Sequence, residues 1–222
     1  MTLPMLLMAL CGLPGPAFAV DLTGQIRLLT ESGRGSARGA GESPIVVFYE
    51  PDRGGEAPKP QQLVVETRRK QFQPRVIVVT QGSSIRFPNR DPILHNVFSV
   101  TRGNTFDLGL YRRSAGETVT FDTPGLVRVY CNIHQEMVSF VWVVSTPYFA
   151  LADADGEFRL SSLPAGPGTL TLWHERSDLK TLRVERPGGG PIHSDLTLSK
   201  PRAVKHLNKF GRSYRRSRRD RY

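Results

Sequence analysis

Nowhere between residues 20 and 199 do apolar residues recur with the 3.6-residue period of a three-turn helix. They come instead in short runs rich in Val, Ile, Phe and Tyr, closed off by Gly, Pro, Asn and Asp. Residues 22–28, 44–49, 63–66, 75–80, 84–87, 126–131, 138–144 and 169–173 read as strands, with a Gly-, Ser- and Arg-rich loop over 32–43 and a Pro- and Gly-punctuated connector over 51–60. A chain of this kind buries its apolar surface only by packing sheets, so the expected fold class is all-β. At 222 residues and 39% hydrophobic content it has material for one large or two small cores.

One strand carries chemistry at its end. In residues 126–131 the period-2 alternation puts Val127, Val129 and Cys131 on one face and Arg128 on the other, so the thiol points inward. The chain continues Cys131-Asn132-Ile133-His134-Gln135-Glu136-Met137 before the strand pattern resumes at Val138. Thiolate and thioether are soft donors and imidazole is borderline, a combination suited to copper cycling between Cu(I) and Cu(II). A blue, type 1 copper centre takes two His and one Cys near a plane and a distant axial Met, so a second imidazole is needed. His95 is the candidate. A bare C-x-x-H-x-x-M run is more often a buried Cys beside an incidental His; the inward strand phase and the separate His segment favour a ligand set here.

Four separated segments carry a resemblance. Phe87-Pro88-Asn89-Arg90-Asp91, His95-Asn96-Val97-Phe98-Ser99, Phe106-Asp107-Leu108-Gly109 and Cys131 through Met137 stand in the order found in cupredoxins, with the short ligand loop of amicyanin. From about residue 61 to residue 175 the chain resembles exported plastocyanin-like proteins of the methylamine-utilisation type. The resemblance implies a Greek-key cupredoxin sandwich over 61–146 and one type 1 copper held by His95, Cys131, His134 and Met137. It also implies that Asn96 ties the two ligand-bearing loops together by hydrogen bonds, and that electrons pass through the exposed ring edge of His134. The polar pair Gln135-Glu136 departs from what is usual beside an exposed ligand.

A second resemblance lies downstream. Asp153, Gly156 and Phe158 in a D-x-x-G-x-F hairpin, then Leu163-Pro164-Ala165-Gly166 and an alternating strand, resemble the carboxypeptidase-regulatory, transthyretin-like sandwich. Such a domain opens with a G-x-I strand and a later apolar strand, and residues 22–50 supply both. The expectation is therefore a second small Ig- or transthyretin-like sandwich, discontinuous in sequence, built from 20–60 and 147–199 around the cupredoxin. The alternative is that residues 22–50 merely add strands to the cupredoxin.

Charge is distributed unevenly. Of the formal +10, residues 200–222 supply ten Lys or Arg against one Asp, and residues 1–20 carry no charge. Residues 1–19, ending Ala17-Phe18-Ala19, read as a secretory signal, which implies a periplasmic or secreted protein. Cleavage there would leave Cys131 without a partner for a disulfide, and metal coordination is a good reason to keep a lone thiol in an oxidising compartment. The tail cannot bury a core of its own and is expected to be a disordered basic arm suited to an acidic redox partner or an anionic membrane surface, not to nucleic acid, which an exported protein rarely meets.

No enzyme is expected. A multicopper oxidase needs further paired-His segments, a dinuclear copper centre needs a second Cys, and no Ser-His-Asp or paired-carboxylate constellation stands out. The expected function is single-electron carriage to or from a cytochrome or periplasmic dehydrogenase. The rivals are a copper storage, delivery or sensing module and a metal-free structural sandwich protein. His174, His193 and His206 read as surface or locally hydrogen-bonded histidines, and Asp153 with Asp155 as a hairpin turn rather than a calcium loop.

Overall fold

The computed structural model describes residues 19–32, 43–199 and 206–214; the leader, most of the 32–43 loop and the ends of the basic tail lie outside the described residues. Among the described residues there are seventeen strands and no helix. In chain order they are β1 (Val20–Thr30), β2 (Val46–Pro51), β3 (Gln62–Val64), β4 (Glu66–Arg68), β5 (Gln71–Gln73), β6 (Val76–Thr80), β7 (Ser83–Asn89), β8 (His95–Thr101) and β9 (Asn104–Tyr111). They continue as β10 (Ser114–Phe121), β11 (Gly125–Cys131), β12 (Val138–Val144), β13 (Phe149–Leu151), β14 (Glu157–Leu163), β15 (Gly168–Trp173), β16 (Lys180–Val184) and β17 (Ile192–Leu198).

The strands make four sheets, paired as two sandwiches. One sandwich packs β10-β7-β4-β5, with β3 along β7, against β6-β12-β11-β8-β9. Its core includes Val65, Phe72, Val79, Ile85, Phe87, Val97, Phe121, Val127, Val129, Val141 and Val143, all buried, and at one end Cys131 and Met137. The other packs β14-β1-β17 against β13-β2-β15-β16, around Leu22, Ile26, Tyr49, Leu160, Leu163, Leu170 and Leu172. Strands β1 and β2 thus pair with β14, β17, β13 and β15 and contribute nothing to the ligand-bearing sheet.

A third apolar layer joins the sandwiches back to back. Strand β12 is buried along its whole length because both faces are covered: Val141 and Val143 enter the first core, while Val138, Phe140, Trp142 and Val144 meet Val46, Phe48 and Trp173 of β2 and β15. An uninterrupted apolar run is what such a doubly covered strand requires. The strand expected over 63–66 is interrupted at Val65, which is buried and donates its N–H to Arg86 O at 3.0 Å, and becomes β3 and β4, each pairing parallel with β7.

An ion pair crosses the same junction. Glu175, just after β15, accepts from Arg75 Nη2 at 2.7 Å and Nε at 2.9 Å and from the Ser43 hydroxyl. Burial pushes the Glu175 carboxyl up, but Arg75 and Ser43 outweigh it and hold it below the ordinary value. A carboxyl depressed by folding adds stability above its unfolded value, and that stability is lost as pH falls through the folded value. Glu175→Gln should therefore cost about 2–3 kcal/mol at neutral pH, less than a fully buried pair because Arg75 keeps contact with water. Denaturant unfolding at a series of pH values should show the deficit shrinking below roughly pH 4.

Candidate metal centre

The site is assembled at one end of the first sandwich from three local structures. Strand β11 ends at Cys131, which pairs with Val97 of β8 and is fully buried. The chain then turns tightly: Met137 N–H donates to His134 O at 3.1 Å and Cys131 N–H to Met137 O at 3.3 Å, bringing Met137 back beside the strand it left. Strand β8 begins at His95, also fully buried.

These placements bring His95, Cys131 and His134 together, with their candidate ligand atoms all within 4.8 Å of one another. Both imidazoles present Nδ1 to the sulfur, His95 at 3.8 Å and His134 at 3.5 Å, and the ring centroids are 4.8 Å apart. Bonds of about 2.0–2.3 Å from N and S donors to one ion, opened to 100–120°, leave those donors about 3.3–3.8 Å apart. The spacing therefore fits a shared cation. Met137, 1% exposed, lies in the same buried cluster as Cys131, while His134 is only half-buried. The residues present fit a copper ion: one thiolate, two imidazoles and an adjacent thioether, with no carboxylate among the converging donors.

A residue to which the sequence reading gave no role fixes His95. Asp91 Oδ2 lies 3.0 Å from His95 Nε2, leaving Nδ1 to face the sulfur. The carboxylate is itself built in: Arg69 and Lys70, both with left-handed φ, donate their N–H groups to it at 2.7 and 2.9 Å. Asn89 closes the same turn, accepting from Asp91 N–H at 2.9 Å and donating to Ile93 O at 2.9 Å. Burial pushes the Asp91 carboxyl up, yet the Lys70 and Arg69 amides and His95 hold it below the ordinary value. Burial lowers the affinity of His95 for a proton more than Asp91 raises it, which keeps the ring neutral and available as a donor. Asp91→Ala should lower metal affinity about 10–100-fold in a competition titration. Asp91→Asn, whose single carbonyl oxygen can still accept one of the two backbone amides, should keep the stability of the metal-free chain closer to wild type than Asp91→Ala does.

Asn96 departs from its expected role. Alternation along β8 turns its side chain away from His95, and β9 carries one extra residue opposite Val97, so that Asn96 Nδ2 donates to Asp107 Oδ1 at 2.6 Å and Gly109 O at 2.7 Å. Gly109 takes the positive φ of +69° that this bulge needs. Asn96 Oδ1 is buried without a partner among the described residues. Among the described residues the Asn96 side chain thus fastens β8 to β9 and makes no hydrogen bond to the Cys131 loop.

The basic tail also departs from expectation. Instead of standing free, residues 206–214 lie on the ligand loop: Tyr214 hydroxyl donates to Cys131 O at 2.7 Å, and Lys209 N–H donates to Asn132 Oδ1 at 3.0 Å. Among the other histidines, His174 is fully buried and its Nδ1 accepts the Arg176 N–H, and His206 stacks on Tyr130.

Several solved structures are similar to part of this chain. They include the Cu-containing nitrite reductase of Thermus scotoductus, at 21% identity and TM-score 0.36, covering 43% of this chain and 25% of the reductase. A mutant of amicyanin in its Cu(I) form matches at 18% identity and TM-score 0.35, covering 44% of this chain and 98% of amicyanin. A purple cupredoxin from Nitrosopumilus maritimus matches at 20% identity and TM-score 0.30, covering 39% of this chain and all of that one. This chain spans about a quarter of the reductase's length. No protein-family model matches the chain, and no curated protein matches it. The metal centre consequently stands on the geometry of its own residues.

Proposed function

We propose that this chain is an exported type 1 copper protein of the cupredoxin kind, carrying single electrons between redox partners rather than catalysing a reaction. One observation carries the proposal: a thiol and two imidazole nitrogens from segments 36 residues apart converge at contact distance inside a sheet core, with Met137 buried beside them. Copper, when bound, supplies a one-electron couple between Cu(I) and Cu(II).

The chain's own residues do the rest. Cys131 and His95 are anchored in paired strands and Asp91 sets the ring orientation of His95, so the donors keep their places between oxidation states. The apolar core behind Cys131 and Met137 excludes water. Of the four ligand candidates only His134 reaches the surface, and it is the natural contact for a partner. A partner such as a cytochrome or periplasmic dehydrogenase with an acidic face, or an anionic membrane surface, would complement the ten Lys and Arg of residues 200–222.

The deciding experiment adds Cu(II) to the purified chain and records visible and EPR spectra. One equivalent should generate an intense blue thiolate band, and the reduced protein should exchange electrons rapidly with an acidic cytochrome. A colourless product, or preference for Zn(II), overturns the copper assignment; copper surrendered readily to chelators with no electron exchange indicates storage or delivery instead.

A further inference from the structure

With the Asn96 side chain committed to β9, the C-terminal residues add side-chain ties between the two ligand-bearing segments to the backbone pairing of Cys131 with Val97. Residues 206–214 form a small closed turn. Asn208 Oδ1 accepts from the N–H groups of Phe210 and Arg212 at 3.0 Å each, Asn208 N–H donates to Arg212 O at 2.8 Å, and Gly211 N–H donates to Asn208 O at 2.9 Å with φ +70°. The turn grips both sides of the metal centre. On the loop side it holds Asn132 through Lys209 N–H and the Cys131 carbonyl through the Tyr214 hydroxyl. On the other side Lys209 Nζ pairs with Asp107 Oδ2 at 2.6 Å, and the second oxygen of that carboxylate accepts from Asn96, the neighbour of His95.

Ring packing backs these bonds. His206 lies on Tyr130, the residue before Cys131, at 4.0 Å between centroids and 22° between planes. Tyr214 meets the edge of His206 at 5.2 Å and 82°. A merely solvated arm would make none of these specific contacts, and the Lys209 side chain is only 22% exposed despite its charge.

We propose that residues 206–214 are a clasp belonging to the metal centre, in which Lys209 and Tyr214 act as positioning residues. They hold the His95 segment and the Cys131–Met137 loop at a fixed separation, so the donor triangle stands ready before a metal arrives. The Tyr214 hydroxyl acts through the Cys131 carbonyl and fixes the peptide next to the sulfur. Lys209 acts through Asp107 and Asn96. The proposal rests on the copper assignment only for its second readout.

Hydrogen exchange on the full-length, metal-free chain gives the first readout. Each lost bond, at a net of about 1 kcal/mol, corresponds to roughly five-fold faster local opening. Tyr214→Phe with Lys209→Gln should speed amide exchange over residues 132–137 by about 10–25-fold and leave residues 20–30 of the far sandwich unchanged. Lys209→Arg, which keeps the charge and a donor, should restore most of the protection in the single-site comparison. The second readout is the copper-loaded Tyr214→Phe protein, which should bind one equivalent with a shifted reduction potential and altered EPR hyperfine splitting. Unchanged exchange over 132–137 in the double variant, or equal acceleration in both sandwiches, overturns the clasp. If the exchange responds but no copper binds, the clasp stands and the copper assignment falls.

Discussion

Cys131→Ser should abolish the visible thiolate band completely while leaving the metal-free fold within about 1 kcal/mol of wild type. The two halves of that expectation have separate causes. Serine keeps nearly the shape of cysteine, and in this position its hydroxyl would face His95 Nδ1 and His134 Nδ1, the two atoms that now lie 3.8 and 3.5 Å from the sulfur. A buried hydroxyl with acceptors at hand costs little. The hydroxyl, however, is neither soft nor ionised at neutral pH, so the donor that favours copper is gone. A purely structural Cys131 would behave the other way: the substitution would place a hydroxyl in an apolar core, lower the melting temperature and change no spectrum. His95→Ala and His134→Ala should each weaken copper binding less than Cys131→Ser, and Met137→Ala should shift the potential with copper retained. Copper titration, absorption and unfolding of the same four variants check the order. A Cys131→Ser protein that binds copper with the wild-type colour refutes the centre.

How much of this site could be read from residues alone depends on how local its determinants are. Cys131 was legible because the alternation of Val127 and Val129 points its side chain inward, and β11 runs Gly125–Cys131 with Val127, Val129 and Cys131 all buried. Asp91 was visible as a letter but not as a function. A carboxylate four residues before a histidine acquires its role only when Asn89 closes the turn between them and Arg69 and Lys70 arrive from a neighbouring hairpin. Asn96 misled because its role depends on a one-residue bulge in β9, and a bulge shifts register without altering the apolar pattern. The tail misled for a different reason. Its composition describes the average of 23 residues, whereas nine of them fold on the ligand loop through Asn208, Lys209 and Tyr214. Pairings such as Gln25 with Asp155, 130 residues away, leave no trace in any local window either.

The largest stability effect should come from the layer between the sandwiches. Trp142→Ala should lower the unfolding free energy by about 3–5 kcal/mol, the range for truncating a buried large aromatic. For a chain of this size that is roughly 10 °C in melting temperature. Trp142 sits on the face of β12 turned away from the metal, 8% exposed, with its ring 5.3 Å from Phe48 and 5.8 Å from Trp173. Removing it empties the middle of the apolar contact between β12 and β2–β15. Trp142→Phe is the control. The indole N–H is buried without a partner among the described residues, so trading the indole for a smaller ring gives up volume but also removes an unsatisfied donor, and the net loss should stay below about 1.5 kcal/mol. Because Val141 and Val143 project from the opposite face into the core that contains Cys131 and Met137, the copper spectrum should survive Trp142→Ala unchanged below its melting point. A loss under about 1 kcal/mol would mean that the two sandwiches do not lean on each other through this layer. An altered spectrum at full folding would mean that the layer reaches the metal through β12, making the second sandwich a determinant of the first one's redox behaviour.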